Sequence, residues 1–169
     1  MKTKWINPRR MQQPQSDSVQ RVKEYVSKHK IEAEIRLLEQ ESTRTSSMAA
    51  ESMGCSVAEI AKTIVFVTEG GSPILITLSG DKKVNMQKMA EILGTSGGLR
   101  KMSAEEVKAL TGYSIGGVPP FPHKEGVSVL SDDSLFRFES VWAAAGSTNA
   151  VMRMRPSVLT SLGIPSVSE

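Results

Sequence analysis

Two β-branched runs, TIVFVTE over 63–69 and ILITLS over 74–79, flank Gly70-Gly71-Ser72-Pro73. Glycine and proline supply the turn and the runs supply strand formers, so the segment reads as a buried β-hairpin with Lys62 at its entrance. A sheet is thus fixed early, and the rest of the chain has to pack around it. With 169 residues, 39% of them hydrophobic, the chain is long enough to close one sizeable core. One domain is expected. The single cysteine, Cys55, cannot form an internal disulfide, which excludes a stapled secreted scaffold, and its place after Gly54 suits a small packing residue. No apolar run approaches the roughly 18 residues that span a bilayer, and MKTKWINPRRMQQPQ lacks the apolar stretch of a signal peptide. The expected compartment is the cytoplasm, with no membrane partner.

Upstream of the hairpin, Ser16 or Asp17 is placed to cap a helix carrying Val19, Val22 and Val26 on one face and ending near Lys30,. In IEAEIRLLE, over 31–39, apolar and charged residues alternate as in a strand wet on one side,. The Ser/Thr-rich stretch from Ser42 to Ser47 reads as a loop that caps a short helix through Met53, stopped at Gly54,. Ser56 and Glu59 form a capping box,. Downstream, VNMQKMAEILG has helical spacing, and Ser103-Ala104-Glu105-Glu106 opens another helix that ends at Gly112,. GVSVL, ESVWAAAG and AVMRMR read as strands, and Pro156 opens a last helix ending at Gly163,. Hairpins outnumber possible βαβ units. The fold class expected is therefore α+β, with a mixed, mostly antiparallel sheet.

The formal charge of +3 is unevenly placed. Lys2, Lys4, Arg9 and Arg10 fall in the first ten residues, where there is no acid, leaving 17 basic against 18 acidic residues in the remainder. Residues 1–15 are expected to form a flexible basic arm that adds salt-screened attraction to phosphates, and 16–169 the folded domain. A disordered terminus with no binding role fits the arm equally well.

Familiar catalytic devices find no support. His29 and His123 come with no nucleophile signature. There is no HExxH, CxxC or calcium-loop pattern, and Gly70-Gly71 and Gly97-Gly98 match no nucleotide fingerprint, so no cofactor or metal is expected,. Two features remain. Lys62 stands among Ile60, Ala61, Ile64 and Val65, where an unpartnered ammonium is costly to desolvate. On spacing alone a snorkelling surface lysine is the commoner explanation. YSIGGVPPFPH, with Gly116, Gly117, Pro119, Pro120 and Pro122, supports no regular element. Its glycines admit a ligand close to the backbone and its prolines stiffen it, and a purely structural turn is as good a reading.

The strings TSSMAAESMGCSVAEIAKTIVF, LTGYSIGGVPPF and DDSLFRFESVWAAAGSTN, in that order, resemble the YbaK family, which is similar to the editing domain inserted in bacterial prolyl-tRNA synthetases. The resemblance runs from about Ser18 to Val167. It implies a β-sheet core, barrel-like and ringed by helices, and a deacylase that hydrolyses the ester of a mischarged aminoacyl-tRNA in trans. It places the family's essential lysine on Lys62 and its glycine-proline substrate loop on Gly116, Gly117, Val118, Pro119 and Pro120, with Phe121 and His123 at the exit. Lys62, Gly116 and Gly117 are the implied catalytic positions, the loop amides holding the aminoacyl carbonyl and amine. The late small-residue turn falls on Ala145, Gly146 and Ser147, and Thr45, Ser46, Ser47 and Met48 border the bound amino acid. Helix capping by Ser46 or Ser47 is the plainer reading of those hydroxyls. Asn149 is a further lining candidate beside Ser147.

Two positions depart from the family. Pro122 precedes His123 where relatives carry glycine, and Glu39-Gln40 replace a different polar pair near the pocket entrance. The implied partner is the aminoacylated acceptor end of tRNA, with an aminoacyl-tRNA synthetase as a further candidate; no oligomeric state follows. A non-catalytic module that binds an acceptor end or aminoacyl ester, and a hydrolase of small aminoacyl esters, are the alternatives.

Overall fold

A computed structural model describes residues 8–38 and 44–168, with side chains from residue 17 onward. The long hairpin forms as the sequence dictates. β2 (Ile60–Thr68) and β3 (Pro73–Ser79) pair antiparallel, Ala61 opposite Ser79 and Val67 opposite Pro73. Both faces of this pair are covered, which is why both runs are apolar without alternation. One face carries Ala61, Val65 and Leu75 and joins the main core with Val22, Tyr113, Leu135, Met152 and Leu159. The opposite face carries Phe66, Ile74, Ile76 and Leu78, which pack with Met89 of α3 (Met86–Leu93).

The remaining strands flank this pair in the order β1-β7-β6-β2-β3-β5-β8. β1 (Ala33–Leu37) pairs antiparallel with β7 (Ala150–Met154), and β7 with β6 (Val141–Ala144). β6 runs parallel to β2, β5 (Ser128–Asp132) parallel to β3, and β8 (Ser166–Val167) parallel to β5. β4 (Leu99–Lys101) adds antiparallel to the far end of β2. The α+β class and the mixed, mostly antiparallel sheet stand. The barrel-like aspect does not extend to closure, because β1 and β8 terminate the sheet at opposite ends.

Helix boundaries follow their caps. α2 (Ser46–Met53) is capped by Thr45, whose hydroxyl accepts from the Met48 N–H, so neither Ser46 nor Ser47 is the cap; it ends at left-handed Gly54. The Ser56–Glu59 box caps a short 3-10 turn over Val57–Glu59. α3 is capped by Asn85 and α4 (Ala104–Thr111) by the Ser103–Glu106 box. α5 (Ser157–Ser161) follows Pro156.

α1 spans Pro8–Lys28 and so begins upstream of the Ser16 and Asp17 caps. Of the expected basic arm, residues 1–7 lie outside the described residues and 8–15 belong to this helix. Glu39, Gln40 and Ser42 also lie outside the described residues.

Candidate active site

β2 has β3 on one side along its whole length, but its other side is shared. The parallel ladder with β6 stops at Ala61 opposite Ala143, and the ladder with β4 starts only at Phe66 opposite Lys101. β2 therefore forks away from one neighbour before meeting the next. A cavity of about 240 Å³ sits in this fork, lined by Lys62, Thr63 and Ile64 from β2, by Thr45, Ser46 and Ala49 from α2, and by Trp142 and Ala144 from β6. Ile115, Gly116 and Val118 close it from the proline-rich loop.

Lys62 is half-buried on the sheet face that also carries Ile64 and Phe66. Its Nζ donates to the carbonyl of Gly80 at 3.4 Å, long for an N–H···O bond. The nearby carboxylate of Asp81 is already held by Arg137, whose two terminal nitrogens lie 3.0 and 3.4 Å from its oxygens. Among the described residues no carboxylate pairs with Lys62. Burial, and then the charge of Lys101, push its ammonium below the usual lysine range, with Asp81 partly opposing them. An ammonium has three donors, of which the Gly80 carbonyl takes one, and Lys62 lines the cavity. Gly80 had no functional reading in the sequence. Its Cβ would stand 2.4 Å from the Val57 carbonyl and 2.9 Å from Ser46 Cβ, so only glycine brings that carbonyl under Lys62.

The loop is anchored rather than floppy. Val118, Pro119, Pro120 and Phe121 are buried, Phe121 against Tyr25 at 5.6 Å between ring centroids. His123 Nε2 donates to the Pro119 carbonyl at 2.7 Å, which assigns the proton to that nitrogen, and its ring meets Tyr113 edge-on at 5.8 Å. The exit of the loop contains a cis Phe121–Pro122 peptide, where the Tyr113 hydroxyl donates to the Pro122 carbonyl.

Behind the loop lies the late turn. The Gly146 N–H donates to the Gly117 carbonyl at 3.0 Å, and a Cβ on Gly117 would come within 2.8 Å of Ser147 Cα. The Gly117 N–H donates to the Ser114 carbonyl at 2.8 Å. Gly117 is therefore the joint between loop and turn, and its amide is committed to the loop rather than offered to a substrate.

The expected site residues thus separate into two layers. Lys62, Thr45, Ser46, Gly116 and Val118 line the cavity. Pro119, Pro120, Phe121, His123, Ala145, Gly146, Ser147, Ser47 and Met48 are not among the residues lining the cavity; the first seven belong to the anchored loop and the turn behind it. Asn149 does not line it either: it takes a hydrogen bond from Ser147 and donates to the Leu38 carbonyl, pinning the end of β1. Thr63, Ile115, Trp142 and Val151 also line the cavity. In the sequence they look like ordinary members of alternating strands or of a loop. Only the fork brings them together. Among the described residues there is no group of three or more His, Cys, Asp and Glu side chains suited to a metal, and no helix is long and apolar enough to cross a membrane.

Comparison with known proteins adds a family to this geometry. The model of the aminoacyl-tRNA editing domain matches residues 40–162. The chain is 37% identical over 126 residues to the uncharacterized protein YwhH of Bacillus subtilis (strain 168), covering 75% of this chain and 79% of that one. It is 28% identical over 120 residues to the multifunctional Ser/Thr-tRNA deacylase ProXp-y of Escherichia coli (strain K12), covering 68% and 70%. A crystal structure described as a candidate trans-editing enzyme for prolyl tRNA synthetase superposes with a TM-score of 0.77 at 33% identity, over 89% of this chain and 95% of that one.

Proposed function

The chain belongs to the aminoacyl-tRNA editing domain family, and from that premise we propose that it is a trans-acting deacylase. It hydrolyses the ester joining an amino acid to the terminal ribose of a tRNA that should not carry it. The observation that carries this reading is the half-buried ammonium of Lys62, held by one long hydrogen bond at the mouth of a cavity shared with the anchored loop. Packing gives no reason to keep a cation there. An electron-rich ligand does.

Ester hydrolysis needs a water delivered to the carbonyl carbon, stabilisation of the charge that gathers on the carbonyl oxygen, and a proton for the departing ribose oxygen. No protein nucleophile is required. Water adds to the carbonyl, the tetrahedral species collapses, and the ribose leaves as its hydroxyl, releasing the free amino acid. The neighbouring ribose hydroxyl positions or activates the water, so the protein contributes placement and electrostatics. Lys62 anchors the terminal ribose region as a cation. The loop at Gly116 and Val118 closes over the aminoacyl group. Ala49, Ile60, Trp142 and Val151 give the cavity an apolar lining, and Thr45 and Ser46 line it beside them.

The experiment is to incubate the protein with a panel of mischarged tRNAs and with the matching free amino-acid esters, and to follow ester loss. Deacylation of at least one tRNA, with little action on its free ester, is expected. Binding of the tRNAs without ester loss would assign the cavity to recognition alone, and equal turnover of the free esters would assign it to small-ester hydrolysis.

A further inference from the structure

The fork leaves part of β2 without a strand partner, and the phase of the surrounding bonds fixes which backbone groups face the gap. On the β3 side, the Ile60 carbonyl accepts from the Gly80 N–H at 2.7 Å and the Thr68 N–H donates to the Ser72 carbonyl at 3.0 Å. On the opposite side, the Val65 carbonyl accepts from the Met102 N–H at 3.0 Å. Backbone groups of successive strand residues point to opposite edges. Even-numbered residues of β2 therefore face β3, and odd-numbered ones face β6 and β4. Ala61 is within the β6 ladder, and Val65 is taken by Met102. Thr63 stands between them, on the open edge, and lines the cavity. Among the described residues no strand pairs with β2 at Thr63 on this side.

We infer that the backbone N–H and C=O of Thr63 are the seat of the aminoacyl group, which docks on the open edge of β2 as a one-residue strand. This rests on the deacylase reading above and names the groups that hold the substrate. Directly opposed residues of an antiparallel pair exchange two hydrogen bonds, each giving an N–H and taking a carbonyl. An aminoacyl ester carries the same two groups at the same spacing: its α-amino group donates to the Thr63 carbonyl, and its ester carbonyl accepts from the Thr63 N–H. Recognition through these atoms is common to all α-amino acids, so the docking is indifferent to the side chain, and selectivity falls to the cavity wall. The side chain of Thr63 is engaged elsewhere, its hydroxyl lying 2.8 Å from that of Thr77. It also explains how the substrate is held although the Gly117 amide is committed to Ser114. The polar groups that a closed sheet would satisfy internally are left open at one half-buried residue, and an open edge of that kind is a ready template for a partner.

Residue-resolved amide hydrogen exchange tests this on the whole chain, free and with 3′-amino-linked alanyl-, seryl- and cysteinyl-adenosine, in which an amide replaces the labile ester. In the free protein the Thr63 amide should exchange much faster than those of Lys62 and Ile64, which face β3. At least one analogue should then slow Thr63 exchange by about tenfold or more, the effect of a hydrogen bond of ordinary strength. Thr63 exchange as slow as that of its neighbours in the free protein would overturn the open edge. Chemical-shift changes at Lys62 and Ile115 with unchanged Thr63 exchange would overturn the docking while leaving the deacylase reading intact. If no analogue perturbs the cavity at all, that reading falls and this inference falls with it.

Discussion

Burial pushes two basic side chains of this protein toward their neutral forms, and the two respond to different ends. His123 is held below its ordinary value first by burial, with the Pro119 carbonyl partly restoring it and Arg21 pushing it further down. Its neutral ring already supplies the one N–H that the loop uses. A base whose folded value lies below its unfolded one binds fewer protons when folded, so its contribution is complete above about pH 6.5 and is lost as pH falls through the folded value. The melting temperature should therefore drop between pH 7 and pH 5, and His123→Gln should flatten that slope; a slope unchanged by the substitution would remove His123 as its source. Glu106, whose carboxyl Arg100 and the Ser103 N–H hold at about 2, loses its contribution mainly below about pH 5, where the unfolded carboxyl takes up protons. Lys62 shows the other outcome. Its burial serves no packing purpose that the sequence or the structure reveals, whereas His123 fastens the loop.

The loop and the turn behind it work as a pair of elements joined at Gly117. A Cβ there would meet Ser147 Cα at 2.8 Å and its carbonyl carbon at 2.9 Å, and backbone atoms cannot step aside as a flexible side chain can. Gly117→Ala should cost about 1 to 3 kcal/mol, as overpacking typically does, and should weaken binding of an aminoacyl-adenosine amide by moving Gly116 and Val118. Thermal melting and a binding titration check both halves, and a variant with unchanged stability and affinity would show that the joint is not tight. Elements of this size were the most legible part of the sequence. The β2–β3 hairpin, the two capping boxes and the glycine stops of α2, α3 and α4 all rest on residues within a few positions of one another. β4 was not legible, since Leu99-Arg100-Lys101 is too short to show a period. It exists because β2 offers it an edge at Phe66–Thr68. The cap of α2 also escaped local reading. Three hydroxyls in succession compete for that role, and the geometry gives it to Thr45.

The molecule as a whole is organised by a fork in its sheet, and forks are invisible in sequence because they depend on which distant strands become neighbours. Spacing left Lys62 and the glycine-proline loop open between a structural and a functional reading, and the family resemblance gave them their roles and added Thr45 and Ser46. It could not mark Thr63, Ile115 or Trp142, whose residue types look like ordinary sheet and loop. The cavity draws on α2, β2, β6, β7 and the loop, segments that only tertiary packing assembles. A consequence for global stability follows. If Lys62 is retained for its ligand, the folded chain tolerates its loss well, since removing an unpaired half-buried charge relieves desolvation. The most direct measurement is therefore a pair of readings on Lys62→Met, which keeps the unbranched stem out to the ε position without the charged nitrogen: deacylation of the preferred mischarged tRNA, and thermal stability. Deacylation reduced by about 100-fold or more with a melting temperature equal to or above that of the parent chain is the predicted result; full activity in a folded Lys62→Met protein would contradict it.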